Sequence, residues 1–160
     1  YSFDNAAGQK VSNDDVVVEN PKITDLQVKL LNDNIISPDQ DISFEISYDV
    51  NEDIETYIAF SLTDIDRGIW IYNDNSMDNK TSGSGRKTLT YKCSLAHLNN
   101  IKLKLQVSVR DKDDQMIAFA DSDNSPVILL NRNDIEHDDK SAKDSATGMV
   151  QRNGKWEIQE

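Results

Sequence analysis

The chain is short of the residues that usually carry chemistry. It has one cysteine in 160 residues, Cys93, so no internal disulfide can form, and a reducing compartment suits it. Its only histidines, His97 and His137, are far apart with no ligand spacing around either. Neither a zinc site nor a His-activated nucleophile is supported. No run approaches the ~20 apolar residues of a membrane span, and no signal-peptide pattern opens the chain. The opening Tyr1–Asn5 instead reads as a cut inside a longer polypeptide. Cations are scarce, 17 Lys and Arg against 29 Asp and Glu. The resulting net charge of -12 argues against nucleic acid or an anionic membrane as the main partner. The length suits about one domain with a real core.

What the chain has is alternation. From Ile101 to Arg110, Ile101, Leu103, Leu105, Val107 and Val109 fall in one phase; Lys102, Lys104, Gln106, Ser108 and Arg110 fall in the other. Strict period-two patterning of this length predicts a strand with one buried and one solvated face. Burying the five apolar side chains should contribute roughly 7–15 kcal/mol before entropy is set against it. A slip by one residue would drive two lysines into the core, so the register is firmly set.

The same pattern recurs along the chain. Strands are predicted at Ile23–Leu31, Asp41–Val50, Thr56–Thr63, Ile69–Asn73, Lys87–Leu95, Gln115–Asp121 and Val127–Leu130, with turn residues between them. Asp74–Arg86 reads as a polar loop and Ile35-Ile36 as a short apolar step between turns. About eight short strands, no helix signal and no repeat predict an all-β fold, an antiparallel β-sandwich of Ig-like or jelly-roll type. Residues 1–20 read as a linker, with Val16–Val18 as a short edge strand, and 21–131 as the sandwich. Residues 132–152 form an acidic connector and 153–160 a terminal strand, in which Trp156 and Ile158 share a phase. Fully extended, that connector spans up to ~70 Å, so the last strand can complete the sandwich of a partner chain as easily as its own.

Several local motifs fail on inspection. Gly83–Thr88 has the glycines and lysine of a phosphate loop, but Arg86 breaks the spacing and a strand, not a helix, follows. Asp64–Asp66 and Asp121–Asn124 lack the glycine and glutamate of a calcium loop and read as solvated turns. Asn79-Lys80-Thr81 is a glycosylation sequon, relevant only in a secreted protein. Cys93 falls in an apolar phase and reads as a small core residue. No cofactor or metal is implied.

The aromatics are more informative. In an Ig-like order, strands 56–63, 69–73, 101–110 and 115–121 share one sheet. With Ile69, Ile71, Ile58, Phe60 and Leu62 inward, its outer face displays Tyr57, Trp70 and Tyr72 beside Ser61, Gln106, Ser108 and Arg110. Rings beside small hydrogen-bonding residues suit sugars, whose C–H faces stack on aromatics while hydroxyls meet polar groups. Arg110 suits an anionic substituent.

Asp41–Tyr48, Ile58–Asp64 and Gly68–Asn73, then Leu105–Asp111, Ile117–Asp121 and the closing Gly148…Gly154–Ile158, together resemble one domain type. It is the C-terminal carbohydrate-binding domain of the ATP-binding subunit (Wzt) of O-antigen polysaccharide ABC exporters. The sequence departs from that pattern at Pro38–Gln40 and at Asn99–Ile101, where glycines and one aromatic are missing. The resemblance implies a non-catalytic, cytoplasmic domain at the inner face of the bacterial inner membrane. It would be tethered to a nucleotide-binding domain that contacts the transporter's membrane subunit. It also implies recognition of the terminus of a lipid-linked O-antigen polysaccharide and a homodimer closed by exchange of terminal strands. Two other readings stay open: an extracellular carbohydrate-binding or adhesion module of a secreted protein, and a glycosidase. The last needs a paired-carboxylate cleft that the sequence does not single out.

Overall fold

The computed structural model describes residues 20–37, 39–131, 149–150 and 154–159. Within them lie ten strands: β1 (Ile23–Leu30), β2 (Ile35–Ile36), β3 (Asp41–Val50), β4 (Glu55–Asp64), β5 (Ile69–Asn75), β6 (Thr81–Ser82), β7 (Gly85–Ser94), β8 (Ile101–Asp111), β9 (Met116–Phe119) and β10 (Val127–Leu130). One sheet runs β1-β3-β7. The other runs β2-β10-β8-β4-β5, with β6 on β4 and β9 on β8. All pairings are antiparallel except β2 with β10. The molecule is the all-β sandwich that the alternation predicts.

The core lies between the two long alternating strands. Leu103, Leu105, Val107 and Val109 of β8 are fully buried and belong to one cluster with Ile42, Phe44, Ile46, Tyr48 and Val50 of β3. Polar atoms that enter this layer are paired, as burial demands. The Tyr48 hydroxyl is 2.9 Å from Thr56 Oγ1, which is 3.1 Å from Thr81 Oγ1. Ile35 and Ile36 do more than separate two turns, pairing in parallel with Leu129 and Leu130. The segment read as a polar loop includes the end of β5, a 3-10 turn at Met77–Asn79 and the two-residue β6.

Near the C-terminus, Met149 and Val150 attach to the β7–β8 connection. Asn99 N donates to the Met149 carbonyl at 3.0 Å and Asn99 Nδ2 to that of Val150 at 3.1 Å. Gly154–Gln159 pairs with no strand among the described residues, leaving Trp156 96% and Ile158 85% exposed. The expected Val16–Val18 strand and residues 132–148 of the acidic connector lie outside the described residues.

Candidate functional site

The outer face of the larger sheet is built on β4 and β8. Their register sets Tyr57 opposite Arg110, Ala59 opposite Ser108, Ser61 opposite Gln106 and Thr63 opposite Lys104. The intervening Ile58, Phe60, Leu62, Leu105, Val107 and Val109 are buried in the core, so these eight side chains turn outward. β5 adds Asn75 beside Ala59, Asn73 beside Ser61 and Trp70 beside Thr63. On the far side of β8, β9 adds Phe119 beside Ser108 and Met116 beside Arg110, and β10 adds Val127 beside Lys104. The result is a floor of small and hydrogen-bonding residues with exposed apolar side chains at its margins, chiefly Trp70 (54% exposed) and Phe119 (46%).

The floor is partly tied to itself. Thr63 Oγ1 donates to Gln106 Oε1 at 3.2 Å, and Ser61 Oγ is 3.5 Å from Thr63 Oγ1. Ser108 is buried, its hydroxyl donating to the Ala59 carbonyl at 3.5 Å. With its Oε1 engaged, the Gln106 amide can offer its Nε2 hydrogens to a hydroxyl. Lys102, Lys104 and Arg110 of β8 share the outward phase of this face. Lys102 is 3.6 Å from Asp66.

Of the expected aromatics, Trp70 lies outward on this face, and two others are placed differently. Tyr72 points between the sheets. The register shifts between Leu62 and Thr63, so β5 bulges at Ile71: Thr63 pairs with Trp70 and Leu62 with Tyr72. One extra residue on β5 breaks its alternation and sends two rings to opposite faces. Tyr72 stacks on Phe60 at 6.1 Å, and its hydroxyl is 2.6 Å from that of Tyr91, which donates to Asp74 Oδ2. This chain closes the seam between the edge strands β5 and β7. Burial, reinforced by the bond to Asp74, pushes the Tyr91 phenol well above its ordinary pKa, so it stays a donor.

Tyr57 has the expected phase but no accessible ring face, being 3% exposed. Its hydroxyl donates to Asp114 Oδ1 at 2.8 Å, and the Lys80 ammonium lies 6.0 Å from the ring centroid. Burial first, and the Asp114 bond second, raise its pKa. Arg110 Nη1 donates to the Asp114 carbonyl at 3.0 Å. Tyr57 and Arg110 therefore hold the β8–β9 turn, where Asp114 adopts φ 64°. Ser61, Gln106, Ser108 and Arg110 sit side by side with Trp70 at one margin.

Phe119 and Met116 carry no sequence signal, because Met-Ile-Ala-Phe is apolar throughout and has no period. Their outward placement follows from the β8–β9 register alone.

The β4–β5 turn aims Trp70. Asp64 is almost fully buried, accepts the backbone N–H of Asp66 and Arg67 at 2.9 and 3.0 Å, and pairs with Arg67 Nη1 at 2.6 Å. Gly68 closes the turn at φ +70°, where a side chain would be strained. Burial alone would raise the Asp64 pKa, but the Arg67 bonds and charge and the Asp66 amide outweigh it and hold the carboxyl below its usual range.

No protein-family model matches this sequence, and no curated protein matches it either. Solved structures do match in shape. The C-terminal domain of Wzt superposes with a TM-score of 0.53 at 11% identity, covering 86% of this chain and 83% of that domain. The two share a fold. At 11% identity the Wzt domain supplies an architecture and no residue-by-residue role. A CARDB domain from Pyrococcus furiosus, solved with di-metal ions, gives a TM-score of 0.41 at 11% identity, covering 76% of this chain and 99% of that one. The Pseudomonas fluorescens alkylpurine DNA glycosylase AlkC, bound to DNA with an abasic site analogue, gives 0.43 at 9% identity over 69% and 30%.

Proposed function

We propose that this chain is a non-catalytic carbohydrate-binding domain that recognises the terminus of a lipid-linked O-antigen polysaccharide for export by an ABC transporter. The observation that carries the reading is the outer face of the larger sheet. Exposed Trp70 borders a flat floor of Thr63, Ser61, Gln106 and Ser108, the combination that serves a ring with one apolar face and an equatorial fringe of hydroxyls. The fold shared with the Wzt C-terminal domain supports the exporter assignment. Between Trp70 and Phe119 the floor carries no carboxylate, whereas glycoside hydrolysis needs two facing the scissile bond. That favours binding over cleavage.

Lys104 and Arg110 suit a phosphate or carboxylate substituent on the glycan. Affinity should be micromolar to millimolar, because an open face buries little of its ligand and must shed ordered water. In this reading the domain acts in the cytoplasm at the inner membrane, tethered to a nucleotide-binding domain. It works as a homodimer in which residues 153–160 add to the partner's sheet. Trp70→Ala tests it on an array of bacterial polysaccharides. The variant should lose binding that the parent chain shows while melting within a few degrees of it. If Trp70→Ala binds normally, the site is elsewhere.

A further inference from the structure

Two apolar side chains stand at opposite corners of the same outer face, and they are too far apart to grip one sugar. Trp70 belongs to β5, in the row of Thr63 and Lys104; Phe119 belongs to β9, in the row of Ala59 and Ser108. The rows are four residues apart along β4, about 13 Å, and β5 is three strand spacings from β9, about 14 Å, so the diagonal is roughly 20 Å. Along it lie Asn73, Ser61, Gln106 and Ser108, all polar, none large enough to wall off the path. If an extended glycan advances by about one strand spacing, ~5 Å, per pyranose unit, end units stacked on the two rings lie four steps apart, in a run of about five.

Resting on the carbohydrate reading above, we infer that the face binds a run of about five glycan units laid obliquely across β5, β4, β8 and β9. Trp70 stacks on the unit at one end and Phe119 on the unit at the other. A footprint of this length at the glycan terminus reads the linkages between its last units, because only one backbone geometry keeps both end units flat against both rings. A reader of a single end sugar would engage one ring and leave the other, equally exposed, without a role. Polar side chains between the two stacking points suit inner units, which meet the protein through hydroxyl edges.

The test uses the full chain and fragments of one to six units cut from whichever polysaccharide it binds on the array, titrated by calorimetry. The dissociation constant should fall stepwise with length and level off at about five units. Phe119→Ala should weaken the five-unit fragment about tenfold and affect one- and two-unit fragments far less. Ser61→Tyr, which plants an obstacle mid-path on a different strand, should weaken the five-unit fragment far more than the monosaccharide. If affinity is already maximal at one unit, or if neither variant discriminates by length, the five-unit footprint is overturned while the carbohydrate reading stands. If no polysaccharide binds, both fall together.

Discussion

Asp64 shows how a single buried charge serves the site without touching a ligand. Its carboxylate holds two backbone amides and the Arg67 guanidinium, fixing the turn from which Trp70 projects. Because its folded pKa is depressed, the stability it contributes is present above the pKa of the unfolded carboxyl and is lost as pH falls through the folded value. Asp64→Asn keeps an oxygen for the amides and removes the charge. It should cost about 1 kcal/mol near neutrality, since Arg67 is half exposed. The melting-temperature gap between the two proteins should narrow as the pH falls below the ordinary carboxylate range and close only below the depressed folded value, where the parent carboxyl is protonated as well. A gap independent of pH would show that the ion pair contributes nothing.

Among the elements, β5 is the one whose sequence misleads. Ile-Trp-Ile-Tyr alternates cleanly, and on alternation both rings face outward. The bulge at Ile71 sends Tyr72 inward instead, where Phe60, Tyr91 and Asp74 receive it. Tyr72→Ala should therefore behave as a packing mutation. It should destabilise the fold by about 2–4 kcal/mol in urea denaturation, where Trp70→Ala is nearly silent. Equal, small effects of the two would return Tyr72 to the outer face. A bulge is invisible in sequence because it depends on which residue of β4 each residue of β5 meets. β3 and β8 were legible almost to the residue, since each buries one face along its whole length and a slip would bury charge. β9 was legible as apolar and no further, so the outward Phe119 emerges only once the register with β8 is known. The floor residues Ser61, Gln106 and Ser108 followed from the alternation of β4 and β8, which packing leaves intact. Tyr57 kept its phase and lost its accessibility to a turn that the alternation of its own strand does not describe.

At the scale of the molecule, the segment from Gly154 to Gln159 pairs with no strand among the described residues, and its two apolar side chains lie in solvent. On the proposed reading, this alternating segment adds to the sheet edge of a second chain. Exchange between two identical chains satisfies it twice and closes the assembly. Deleting residues 154–160 should convert a dimer to a monomer by light scattering and leave the Asn99 bonds to Met149 and Val150 in place. A dimer of unchanged mass after the deletion would overturn strand exchange.

The two tryptophans carry an optical consequence. Both indoles, Trp70 and Trp156, lie more in water than in protein when a single chain is folded, and the core is built without either. Intrinsic emission from this domain is therefore nearly blind to the collapse of its own interior. It reports instead on what the molecule touches, one indole at the proposed glycan face and the other at the proposed seam between two chains. A blue shift in its spectrum is a signal of company, not of folding.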